Sequence, residues 1–149
     1  MTNIVLDASL AAKWYLRDES DAQTADAIFY DYENDYVQIY FPPLAIYELG
    51  NILFTANLRK RITKPDGEKS FKNFIQHPFE YKIPPYANAL QLSYRLNITF
   101  YDAAYIVLAD ELKCSFYTGD EKLYKKVKKD FDFIYYLEQY SPRYPSDLK

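Results

Sequence analysis

The segment Asn3-Ile-Val-Leu-Asp-Ala-Ser-Leu-Ala-Ala-Lys-Trp-Tyr-Leu16 decides the fold. Ile4, Val5 and Leu6 form an unbroken apolar run, the pattern of a strand covered on both faces. The run stops on an acid, Asp7, and two small residues lead into a helical pattern from about Ser9 to Arg17. A buried strand that runs straight into a helix is the opening of a parallel α/β sheet. Ligands of such sheets sit beyond the carboxyl ends of the strands, where the strand order reverses. Asp7 stands at such an end. Its plainer reading is a helix-starting acid, since Asp and Ser both favour that position.

The same alternation continues outward from this segment. A helix is expected from about Ser20 to Asp31, with Ala22, Ala25, Ile28 and Phe29 on one face, and a strand over Val37 to Phe41 closed by Pro42-Pro43. Helices follow over Leu44 to Leu58 and Lys64 to Gln76, then a short strand from Phe79 to Ile83 stopped by Pro84-Pro85. Tyr86 to Leu96 and Tyr101 to Leu112 read as helices, the second apolar almost all round and therefore buried. Ser115 to Tyr117 and Phe133 to Leu137 read as strands flanking a basic helix, Glu121 to Lys129. The pattern gives one domain over residues 1–140 and a C-terminal tail over 141–149, loosely held, with Pro142 and Pro145.

Composition narrows the chemistry. The chain has 149 residues, 49% of them hydrophobic, enough to bury a core without staples. The lone Cys114 excludes an internal disulfide, and the lone His77, expected in a loop before Pro78, excludes a His-based zinc site and leaves little for a Ser-His-Asp triad. No apolar stretch approaches the ~18 residues of a membrane span, and no signal core precedes Asp7, so a cytoplasmic protein is expected. The net charge of -3 argues against a generally basic nucleic-acid binder. Phosphate contacts would have to come from local patches or bound cations.

Three further acids stand out, two of them at helix starts like Asp7 and one, Glu48, facing inward from a helix. Glu48, in Tyr47-Glu-Leu-Gly-Asn51, falls beside the apolar stripe of its helix, with Asn51 and Thr55 completing a narrow polar line. Asp102 begins the otherwise apolar Tyr101-Asp-Ala-Ala-Tyr-Ile-Val-Leu-Ala109, where the helix dipole alone would favour an acid. Asp120 follows Thr118-Gly119 at a strand end, and Thr118 with Glu121 has the spacing of a capping box. Each acid taken singly has a structural explanation. Parallel strands, however, bring their following turns to one rim, and carboxylates gathered there repel unless a cation lies between them. Oxygen ligands without His or Cys suit Mg²⁺ or Mn²⁺, ions that bind phosphate and activate water for attack on phosphorus.

These motifs together, Ile-Val-Leu-Asp7-Ala-Ser, Tyr-Glu48-Leu-Gly-Asn51, Tyr-Asp102-Ala-Ala and Tyr-Thr118-Gly-Asp120-Glu-Lys-Leu, resemble a PIN domain, and within that family the VapC-like ribonuclease toxins of toxin–antitoxin pairs. The resemblance runs from about Asn3 to Leu137. It implies a three-layer α/β/α sandwich on a mainly parallel, Rossmann-like sheet and a Mg²⁺- or Mn²⁺-dependent endoribonuclease. By the same resemblance Asp7, Glu48, Asp102 and Asp120 hold the metal, while Ser9, Asn51 and Thr118 orient carboxylates or water. It further implies a homodimer and a VapB-like antitoxin whose C-terminal segment lies over the acids.

Two basic clusters could hold RNA, Arg59-Lys60-Arg61 with Lys64, and Lys122 with Lys125, Lys126, Lys128 and Lys129, although such runs are often just solvated helix faces. The 17 tyrosines are spread too evenly to mark a base-stacking platform. Other readings fit less well. A haloacid-dehalogenase-type enzyme needs a second Asp where Ser9 stands, and a receiver domain needs a phosphoacceptor Asp near Pro42-Pro43. A PIN-like module that only binds RNA or protein, and a PIN nuclease of RNA processing without an antitoxin, remain as alternatives.

Overall fold

The computed structural model describes residues 1–144. Five strands form one sheet in the order β3-β2-β1-β4-β5, with every pairing parallel. They are β1 Thr2–Leu6, β2 Val37–Phe41, β3 Glu80–Tyr81, β4 Ser115–Thr118 and β5 Ile134–Tyr136. Seven helices connect and cover them: α1 Ala8–Ala11, α2 Ala22–Glu33, α3 Leu44–Leu58, α4 Lys64–Gln76, α5 Tyr86–Leu96, α6 Phe100–Leu112 and α7 Glu121–Val127. Successive side chains of a strand point to opposite faces. Ile4, Val5 and Leu6 are all at 0% exposure, so β1 is covered from both sides and the molecule has the three layers expected of an α/β/α sandwich.

The order reverses at β1. Strands β2 and β3 lie on one side of it, β4 and β5 on the other. The crevice between the carboxyl ends of β1 and β4 is therefore the switch point where such sheets bind ligands. Residue 7 follows β1 and residues 119 and 120 follow β4, so Asp7 and Asp120 flank that crevice. Helix α6 packs on β1, on β4 and against α5. Seven of its consecutive residues, Ala103 to Ala109, are buried, as its all-round apolar pattern foretold. Thr99 caps its start by accepting from the Asp102 N–H, and Lys113 ends it in the left-handed region.

The departures from the sequence reading are local. The helix expected over Ser9 to Arg17 is a single α turn, α1, followed by a 3₁₀ turn over Ala12–Trp14. The tightening accompanies Trp14, whose indole N–H donates to the Ala25 carbonyl at 2.8 Å and whose ring stacks on Phe79 at 5.8 Å. The next helix starts two residues late because Asp21 adopts φ 65°, and continues to Glu33. Strand β3 is shorter than expected, as edge strands often are, although the Lys82 N–H still reaches the Phe41 carbonyl at 3.0 Å.

The beginning of the tail is held rather than loose. Asp31, on α2 and fully buried, accepts from the Tyr140 hydroxyl and from the Arg143 backbone N–H at 2.8 Å. The Arg143 guanidinium also donates to Thr2 at 3.2 Å, and Tyr144 packs edge-on against Tyr30. Pro145 and the residues after it lie outside the described part. Among the described residues no helix is long and apolar enough to cross a membrane.

Candidate functional site

Asp7 is the most constrained of the four acids. It is 6% exposed and receives four hydrogen bonds. One carboxylate oxygen accepts from the Ser9 hydroxyl at 2.7 Å, the Leu10 N–H at 3.0 Å and the Gly119 N–H at 3.2 Å. The other accepts from the Thr118 hydroxyl. The Leu10 bond makes Asp7 a true helix cap, so the plain reading of this residue holds. It does not exhaust the residue, because two of the donors come from the end of β4 rather than from α1. Burial pushes the Asp7 carboxyl up, and the four donors pull it back.

Thr118 connects two acids. While donating to Asp7 it accepts from the Asp120 N–H at 3.0 Å. The capping box expected of Thr118 and Glu121 is absent. Asp120 is the cap of α7, accepting from the Leu123 N–H at 3.0 Å, which leaves Thr118 free to turn toward β1. Gly119 between them is required by proximity. A Cβ there would lie 2.9 Å from the Leu10 backbone nitrogen and 3.0 Å from the Ser9 carbonyl carbon. The close approach of this turn to α1 lets the Gly119 N–H reach Asp7.

Glu48 and Asp102 come from the covering helices. Glu48 extends from α3 and accepts from the Tyr105 hydroxyl of α6 at 2.6 Å. Burial raises its pKa, Tyr105 lowers it, and the neighbouring charges of Asp7 and Asp102 raise it again. Asp102, in the first turn of α6, is pushed up to about 6 by burial and by the charges of Asp7 and Asp120, with Thr99 opposing. Glu48 thus feels Asp7 and Asp102, and Asp102 feels Asp7 and Asp120, after burial as the larger cause in each.

Among the described residues no three of these groups already stand as ligands around one point. Both oxygens of Asp7, one of Glu48 and one of Asp120 accept hydrogen bonds within the protein, and a carboxylate so bonded keeps lone pairs for a further ligand. The donor set itself, carboxylates without His or Cys, has the chemistry that suits a hard cation.

The remaining expected residues divide. Ser9 and Thr118 touch Asp7 directly. Asn51 is exposed on α3, and among the described residues no hydrogen bond joins it to the acids. Of the basic groups, Lys122 and Lys125 line an open depression of about 650 Å³ together with Ser9, Gly119 and Asp120. Lys125 also pairs with exposed Glu121 at 2.9 Å, while Lys126 donates to the Asn97 carbonyl and so bridges α7 to the end of α5. Lys129 is exposed just beyond α7. Arg61 is engaged elsewhere, in a two-point contact with Asp18 at 2.8 and 2.9 Å and with Glu19 at 3.4 Å. Arg59 ends α3 and Lys60 lies in the left-handed region at φ 59°. Tyr105 is the site residue that the sequence did not disclose. Within an apolar helix it reads as core, and only its spacing of three from Asp102 places it on the face of the acid.

Three comparisons bear on this arrangement. The PIN domain family matches residues 4–129. Ribonuclease VapC3 from Pyrobaculum aerophilum is 27% identical over 127 residues, which span 83% of this chain and 93% of that protein. The fold is similar to the crystal structure of PAE2754 from Pyrobaculum aerophilum, with a TM-score of 0.66 and 22% identity over 92% of each chain.

Proposed function

The chain belongs to the PIN domain family, and from that premise we propose that it is a divalent-cation-dependent endoribonuclease, the toxin of a VapBC-type pair. The observation that carries this reading is the placement of Asp7 and Asp120 at the carboxyl ends of β1 and β4, where the strand order reverses, with Glu48 and Asp102 near enough to feel the Asp7 charge. The likeness to Ribonuclease VapC3 supports the choice of RNA as substrate. Asp7, Glu48, Asp102 and Asp120 would hold Mg²⁺ or Mn²⁺. When bound, such an ion supplies an activated water and stabilises charge developing on phosphate oxygens.

The chain's own residues prepare the site. Ser9, Thr118 and two backbone amides fix the orientation of Asp7. Thr118 relates Asp7 to Asp120, and Tyr105 relates Glu48 to the helix that carries Asp102. Lys122 and Lys125, on the wall of the adjoining depression, would bind phosphates flanking the cut, giving affinity without reading sequence.

Two surfaces support the partner readings. Beside Glu48 on α3, Gly50, Leu53, Phe54, Leu58 and Phe71 line an apolar groove toward α4, with Phe54 and Leu58 more than half exposed. An amphipathic segment of a VapB-like antitoxin would fit there and reach the acids. On α5, Tyr86, Leu90 and Tyr94 form an exposed stripe at four-residue spacing, suited to a homodimer contact.

The test is cleavage of total RNA by purified protein, followed by mapping of the ends. Cleavage should need Mg²⁺ or Mn²⁺ and leave 5′-phosphate and 3′-hydroxyl ends, as attack by water requires. Cutting that persists in excess chelator, or cyclic-phosphate ends from attack by the RNA 2′-hydroxyl, would refute the reading.

A further inference from the structure

We infer that Tyr105 is a positioning residue for the acidic site, holding one oxygen of Glu48 so that the other would be available to a metal. This inference rests on the metal-site reading above. Tyr105 is 1% exposed, and its ring stacks on Phe116 of β4 with centroids 5.9 Å apart and planes 8° from parallel. The ring alone would serve the core equally well as phenylalanine. The hydroxyl is what distinguishes it, and a buried hydroxyl must find a partner. Its partner is a carboxylate of the site, Glu48 Oε1 at 2.6 Å, while Glu48 Oε2 accepts no hydrogen bond among the described residues.

One phenol on α6 thus joins a carboxylate of α3 while its ring lies on β4. Tyr105 and Asp102, three residues apart on α6, share a face, so the helix that supplies one acid also fixes the rotamer of another. A phenol that donates to one oxygen of a carboxylate leaves the second with a defined direction. Partners of this kind orient metal ligands, and their loss typically weakens metal binding roughly 10- to 100-fold.

The measurement is Mn²⁺ binding by calorimetry to wild type, Tyr105→Phe, Glu48→Gln and the double variant, with steady-state RNA cleavage alongside. Tyr105→Phe keeps the ring and its stack, so the fold should persist, which a thermal melt confirms. The expected result is a drop in Mn²⁺ affinity of roughly 10-fold or more and a lower kcat with little change in KM for RNA. In the Glu48→Gln background the same change should add almost nothing, since the two act as one unit. Tyr81→Phe, which removes another buried phenol away from the acids, should leave Mn²⁺ affinity as in wild type. Equal Mn²⁺ affinity in wild type and Tyr105→Phe would overturn the inference. So would a Tyr105→Phe loss as large in the Glu48→Gln background as in wild type. Failure of wild type itself to bind Mn²⁺ would instead refute the metal-site reading on which the inference rests.

Discussion

Replacing Asp102 with Asn should stabilise the metal-free protein at neutral pH. Burial and the charges of Asp7 and Asp120 raise the folded-state pKa of Asp102 from an ordinary 3.8 to about 6. Folding therefore favours the protonated acid. The stability this provides is complete below about pH 4, declines as pH rises, and is lost above about pH 6. The interval from 3.8 to about 6 corresponds to a ceiling of about 3 kcal/mol, at ~1.36 kcal/mol for each pH unit. Asp102 is only partly buried, so solvent screening reduces that figure. The variant also gives up a favourable first-turn charge, worth about 0.3–1 kcal/mol. A net gain of about 1–2 kcal/mol at pH 7 remains, or roughly 3–6 °C in melting temperature for a chain of this size. Thermal melts of wild type and Asp102→Asn in chelator, from pH 4 to pH 7.5, should converge at the acid end and separate as pH rises. Added Mg²⁺ should raise the wild-type curve more than that of the variant. Parallel curves across the range, with the variant below wild type and no response to Mg²⁺, would show that Asp102 is only a dipole partner of its helix.

Asp7→Ala should behave oppositely in chelator, losing about 2–3 kcal/mol in urea denaturation, because it removes a cap and strands four donors. An unchanged midpoint would refute the bonding described for Asp7. Gly119→Ala should cost about 1–3 kcal/mol and depress cleavage, since its Cβ would meet the Leu10 backbone at 2.9 Å; wild-type stability and cleavage would contradict that close approach. Lys122→Ala with Lys125→Ala should flatten the salt dependence of RNA binding by about 1.4 in logarithmic slope, whereas Arg61→Ala should leave it unaltered because Asp18 engages the guanidinium. Filter-binding titrations at several salt concentrations distinguish these, and an unaltered slope in the lysine variant would return those residues to a solvated face.

Much of the architecture is legible in the sequence because it follows from short-range pattern. The run Ile4-Val-Leu6 announces a doubly covered strand, proline pairs close β2 and the segment after β3, and the apolar ring of α6 announces burial. Asp7 and Asp120 are legible because parallel strands send their following turns to one rim, whereas Glu48 and Asp102 lie on helices and are picked out by their apolar surroundings. What escapes depends on contacts distant in sequence. Tyr105 meets Glu48 across 57 residues, and Asp31 receives Tyr140 across 109. Nothing local distinguishes that buried acid from a solvent-facing one on an acidic helix. Thr118 misleads for a related reason, since its spacing to Glu121 suits a cap while its actual acceptor, Asp7, lies 111 residues away. The break after α1 likewise follows from Trp14 meeting α2 and Phe79.

The most direct measurement is the anomalous density of crystals grown with Mn²⁺ at a concentration that sustains RNA cleavage. Manganese should appear in the crevice between β1 and β4, bound by oxygens from Asp7, Glu48, Asp102 and Asp120, and should vanish from crystals of the Asp7→Asn variant. Crystals of the active protein with no manganese at these carboxylates, or with manganese held only elsewhere, would contradict a cation-dependent site built from the four acids.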